Sequence, residues 1–114
     1  MSNNGMLKYL ISFMLLTNSS LAQNYFFDFA SWDRLAREQR TLYVLGVIDT
    51  VSTLVLDGQG KTAKHYSACI INSKLNGDQL ADNVRIYIKT NPKWQNEVMT
   101  AGIINYLVAL CGHP

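Results

Sequence analysis

The first 22 residues decide how much of this chain is left to fold, and in which compartment. Lys8 sets a positive charge ahead of an apolar core from Tyr9 to Leu16, and the polar run Thr17 to Ser20 follows. Ser20-Leu21-Ala22 then places small residues at the −3 and −1 positions of a cleavage site. A bilayer-spanning helix needs roughly 20 apolar residues, and this core is shorter. The expectation is a secretory signal over residues 1–22, started from Met1 or equally from Met6; the competing reading is an uncleaved N-terminal anchor. The remaining 92 residues, 23–114, amount to one domain that works outside the cytoplasm and, once cut, free of the membrane.

So small a domain buries a modest core and often needs a further constraint. Cys69 and Cys111 are the only cysteines, and both lie past the signal. In an oxidising compartment such a pair forms a disulfide. It would close a loop of about 43 residues and stabilise by up to ~4 kcal/mol on the chain-entropy model. The alternatives are a metal site, which would need more ligands, and a buried pair of free thiols.

Charge is nearly balanced past the signal, with nine Lys and Arg against eight Asp and Glu. Arg34, Arg37 and Arg40 recur every three residues, which on a helix makes a drifting solvent stripe. No basic run supports binding to nucleic acid or recruitment to a membrane.

The pattern along the domain is helical. Tyr25-Phe26-Phe27-Asp28-Phe29 is an unusually aromatic start, expected to pack on the core. Ser31 is a candidate N-cap, with Trp32 and Leu35 opening an apolar face and a candidate break near Arg37. Beyond it, Leu42, Leu45, Gly46, Asp49, Ser52 and Thr53 fall on one side of a helix. Tyr43, Val47, Thr50 and Leu54, with Val44, Ile48, Val51 and Val55, make the other side apolar too. A helix apolar over so much of its circumference is expected to sit centrally in a bundle. Asp57-Gly58-Gln59-Gly60 ends it.

Lys64 to Ser73 reads as a loop with a short helical turn that holds Cys69; a short strand there would lack a partner. Asn76 and Gln79 form a capping-box pattern, and Leu75 can contact Leu80 as a hydrophobic staple. The helix so started ends at Asn91-Pro92. A last helix spans about Gln95 to Cys111 and stops at Gly112, while Gly102 permits close approach by a neighbour. The expected fold is an all-α bundle of three main helices plus a short helical turn, pinned by one disulfide.

Catalytic candidates are few. His65 and Cys69 are four apart and would share a helix face, as a nucleophile pair requires, but Cys111 competes for Cys69. Asp49 reads either as a general base or as a buried carboxylate held by Tyr, Arg or backbone donors, with the second favoured. His65 and His113 lack metal-site spacing, and Gly58 and Gly60 follow a helix where a phosphate cradle follows a strand. No cofactor, metal or catalytic residue is expected. The profile suits a binding protein, with Asp57, Gly58, Gln59, Gly60, Lys61, Lys64 and His65 as the candidate partner-binding segment on an exposed polar loop.

Several spacings resemble the Rap/Tai family of periplasmic immunity proteins of type VI secretion systems. Tyr43-Val44-Leu45-Gly46-Val47-Ile48-Asp49 is similar to that family's Tyr-x-x-Gly-x-x-Asp helix, which marks Tyr43, Gly46 and Asp49 as its structural motif. Cys69 stands where relatives often have a mid-chain cysteine, and Gln79 to Ile88 resembles the next helix. Asn91-Pro92 takes the place of a frequent His-Pro, and Ala109-Leu110-Cys111 that of a Phe-Pro-Cys ending. Val44 stands where many relatives have a cysteine, so one disulfide is expected where they have two. The resemblance covers Trp32 to Cys111. It implies a periplasmic protein that is not an enzyme, binds a cognate effector toxin (usually a peptidoglycan amidase) and blocks its active site, in some cases as a homodimer. A second reading is a periplasmic acid-stress chaperone of the small, disulfide-bonded helical type.

Overall fold

Asp28, not Ser31, starts the first helix. Its carboxylate accepts the Ser31 backbone N–H at 2.8 Å, and that bond holds the Asp28 carboxyl below its ordinary pKa. The structure, a computed structural model, describes residues 26–53 and 58–114. The expected signal, 1–22, and Asp57 lie outside the described residues.

Among the described residues, five α-helices and one 3-10 turn follow in order: α1 Phe29–Asp33, α2 Arg37–Thr53, α3 Gly60–Ser73, α4 Gly77–Thr90, the 3-10 turn Pro92–Asn96 and α5 Met99–Cys111. The fold is all-α, as expected, and the Cys69–Cys111 disulfide pins it with Cα atoms 5.7 Å apart. Among the described residues the only β-pairing is an isolated bridge between Asp28 and Val98, where the Met99 N–H donates to the Phe27 carbonyl at 2.7 Å.

The break foreseen near Arg37 is real, and Arg40 makes it. The Arg40 guanidinium donates to the carbonyls of Asp33 (3.4 Å) and Leu35 (2.7 Å), and lies 5.9 Å from the Trp32 ring centre. Trp32 Nε1 donates back to the Arg40 carbonyl at 3.2 Å. The orphan carbonyls at the end of α1 thereby gain a charged donor. Arg40 is half-buried, so the expected solvent stripe of three arginines is not there. Arg37 pairs with Asp82 on α4, and Arg85 of α4 pairs with Asp33 at 2.6 Å.

The stretch read as a loop with a helical turn is a full helix, so the bundle has four long helices rather than three. α3 buries Ala63 and Tyr66 and packs Ile70 on the core. It lacks a capping side chain at its start and ends on Lys74 in the left-handed region (φ 58), so neither usual boundary signal is present. Gly58 takes φ 81 in the turn before it.

α4 begins with the foreseen capping box: Asn76 Oδ1 accepts from Gln79 N–H, and Gln79 Oε1 accepts from Asn76 N–H. It stops before Pro92. The last helix starts at Met99, not Gln95, because Pro92–Asn96 winds as a 3-10 turn and Val98 is extended. Gly112, at φ 77, ends it.

The core gathers Trp32, Val44, Tyr66, Leu80, Val84, Ile88, Met99, Ile103, Tyr106 and Leu107. α2 packs chiefly against α3 and α4 and buries only Thr41, Val44 and Ile48. It is not enclosed, as its apolar circumference suggested. The side bearing Leu42, Leu45, Gly46 and Asp49 is open. Of the aromatic start, Phe29 is buried, Phe27 packs 5.5 Å from Tyr43, and Phe26 is exposed.

Candidate interaction surface

α2 and α3 run antiparallel. Leu42, Leu45, Ile70 and Ile71 border one opening between them, and Ser52, Ala63 and Ser67 border the next. Between the outer sides of the two helices is an open trough. One part, of about 600 Å³, is lined by Leu42, Leu45, Gly46, Asp49, Ser67 and Ile71 among others. It continues into a second part, of about 920 Å³, along Gly60, Lys61, Lys64, Ala68 and Ile71.

Small residues alternate with large apolar ones along the trough, Gly46, Ser52, Ser67 and Ala68 with Leu42, Leu45, Ile70 and Ile71. A Cβ at Gly46 would meet nothing within 4 Å. Leu42 is 69% exposed and Ile71 is 71% exposed, although both are strongly apolar. Clustered exposed apolar side chains with a polar rim mark interaction surfaces.

The candidate partner-binding residues are therefore not on a loop. Gly58 and Gln59 precede α3, and Gly60, Lys61, Lys64 and His65 belong to its first turns. Gly58, Gln59, Lys61 and Lys64 are exposed. His65 is half-buried and Nε2 donates to the Gly112 carbonyl at 2.9 Å. One turn further on, Cys69 is bonded to Cys111. Two cross-links, one covalent and one hydrogen-bonded, thus fasten the middle of α3 to the end of α5.

Cys69 is committed to the disulfide, which removes it as a nucleophile beside His65. Asp49 is exposed on the trough wall, so the expected buried carboxylate with fixed donors is not found. The Tyr43-Gly46-Asp49 motif splits: Gly46 and Asp49 line the trough, while Tyr43 leans toward Phe27 on the adjoining side. Among the described residues, no group of three or more His, Cys, Asp or Glu converges as metal ligands, and no helix is long and apolar enough to cross a membrane.

Sequence reading did not single out Leu42, Leu45, Ser67 and Ile71 as surface residues. A signal existed in part, since Leu42, Leu45, Gly46, Asp49, Ser52 and Thr53 do share one side of α2. Comparison of the chain with family models, curated proteins and solved structures gives no match.

Proposed function

We propose that this chain is a periplasmic immunity protein, which binds a cognate secreted effector toxin and blocks its active site. The toxin class that best fits the resemblance is a peptidoglycan amidase, a wall-cutting enzyme that acts in the compartment to which the N-terminal signal directs this chain. The observation that carries the reading is the exposed start of α3, with Gly58, Gln59, Lys61 and Lys64 at the surface and, further along the helix, the His65–Gly112 bond and the disulfide that tie it to α5. A preorganised surface loses little conformational freedom on binding, which favours tight inhibition.

The order of motifs supports the same reading. Tyr43-x-x-Gly46-x-x-Asp49, Cys69, Gln79 to Ile88, Asn91-Pro92 and Cys111 occur in the family's sequence order. The protein acts by stoichiometric binding and needs no cofactor.

The test is protection of a bacterial host. A hydrolase from an adjacent reading frame, exported to the periplasm, is expected to lyse cells unless the full chain is co-expressed. A version lacking residues 1–22 is expected not to protect. Equal lysis with and without the full chain would remove the reading.

A further inference from the structure

Past residue 22 the sequence holds one Asn-Gly pair, Asn76-Gly77, and it stands at the start of α4. An asparagine followed by glycine readily loses its side-chain amide, because glycine leaves its own nitrogen unhindered for attack on the asparagine side chain. Packing and capping both use this pair. Asn76 caps α4, and Gly77 lets the start of α4 lie on α2: a Cβ there would stand 2.8 Å from Leu45 Cδ1 and 3.2 Å from Thr41 Cγ2. Asn76 is exposed, so water reaches it.

The cap opposes the reaction. Three hydrogen bonds fix Asn76. Its side-chain oxygen accepts the Gln79 N–H at 2.8 Å, its own N–H donates to Gln79 Oε1 at 2.9 Å, and its carbonyl accepts the Leu80 N–H at 2.9 Å. Its ψ of 173 holds the Gly77 nitrogen out of line with the side-chain carbon. Ring closure between the two needs a turn about the Asn76 Cα–C bond. That turn breaks the bond to Leu80 and unwinds the first turn of α4.

We propose that Asn76 is a deamidation site of this protein, and that the capping box with Gln79 sets its rate. Once the box opens, the Gly77 nitrogen bonds to Asn76 Cγ, and the side-chain amide leaves as ammonia, taking the Gly77 N–H proton. Water then splits the cyclic imide at either of its carbonyls. Splitting at Cγ gives aspartate, which caps a helix as well as asparagine does and adds a negative charge at the helix N-terminus. Splitting at the main-chain carbonyl gives isoaspartate, whose backbone runs through Cγ and is longer by a methylene. The longer backbone displaces the carbonyl that Leu80 uses. It also loosens the start of α4 from α2, to which Thr41 Oγ1 ties it by donating to Asp78 at 2.7 Å. The folded protein thus ages only as fast as the first turn of α4 opens.

Peptide mass mapping of the protein purified from the periplasm tests the proposal, after incubation in mildly alkaline buffer with and without guanidinium chloride. Conversion of Asn76 is expected to be fast in the denaturant and slow in the folded protein. Gln79→Ala is expected to raise the folded rate about fivefold, the shift in opening that loss of one capping contact brings, and to leave the denatured rate unchanged. Gln79→Glu keeps an acceptor for the Asn76 N–H and is expected to age as the wild type does. A folded rate equal to the denatured rate overturns the proposal, and this comparison stands even if the alanine variant fails to fold. So does a Gln79→Ala protein that folds and ages no faster than the wild type. A denatured chain that keeps its amide at Asn76 overturns it as well.

Discussion

Gly102 of α5 lies so close to Ile88 of α4 that a Cβ on the glycine would stand 2.7 Å from Ile88 Cδ1. Ile88 is fully buried and has no open side into which to turn. Gly102→Ala gains about 1 kcal/mol in helix propensity but overpacks the contact by about 1–3 kcal/mol. The expected net is a loss of about 1 kcal/mol, read as a fall of several degrees in Tm. Gly46→Ala is the control. It meets open space, and it is expected to raise stability by about 0.5–1 kcal/mol.

The disulfide joins residues 42 apart in sequence and is the covalent tie between α3 and α5. Replacing both cysteines by serine is expected to cost about 2–4 kcal/mol, seen as a lower urea midpoint. The wild type under reductant is expected to match that variant. Equal midpoints for oxidised and reduced protein would show that the bridge adds nothing.

Arg40 closes the turn between α1 and α2 through two carbonyls and the face of Trp32. Lysine keeps the charge, but its ammonium sits one bond short of the Nη1 that serves both carbonyls, and it cannot stack as a plane on Trp32. Arg40→Lys is expected to destabilise by about 1–2 kcal/mol. Amide exchange in α1 is expected to rise more than in α4. A uniform rise would mean that Arg40 does not hold α1 in particular.

Asp28 gives an acid dependence with a defined sign. Its carboxyl is held below the ordinary value of 3.8, chiefly by the backbone N–H of Ser31. A group whose folded pKa is depressed stabilises fully above the unfolded value and loses that stabilisation as pH falls through the folded one. Asp28→Asn keeps a capping acceptor but cannot titrate. The urea midpoint of the wild type is therefore expected to exceed that of the variant at pH 6, with the gap closing below pH 3.8. A gap constant down to pH 2 would contradict the assignment.

Local chemistry was legible in the chain, and tertiary choice was not. Asn76 and Gln79 satisfy each other within one turn, so the start of α4 could be read directly. Asn91-Pro92 and Gly112 were equally readable as stops, because each acts on its own backbone. α3 was missed because Gln59 makes no side-chain cap and Lys74, rather than a glycine, takes the left-handed exit. Its core face, Ala63, Tyr66 and Ile70 at helical spacing, was the signal that could have found it. The trough was hidden for a different reason. α2 is apolar on more than one side, and only its packing on α3 and α4 decides that Val44 and Ile48 go in while Leu42 and Asp49 stay out. Arg40 looked like a surface charge because the carbonyls that it satisfies exist only once α1 has ended.

Inhibition of a peptidoglycan hydrolase, the proposed function, is tested most directly by titrating such an enzyme with this protein. A peptidoglycan hydrolase from an adjacent reading frame, assayed on isolated peptidoglycan, is expected to lose activity linearly until one chain is present per enzyme. Lys61→Glu, an exposed change on α3, is expected to weaken inhibition without lowering the unfolding midpoint. A hydrolase that keeps full activity in excess of the protein would contradict the account.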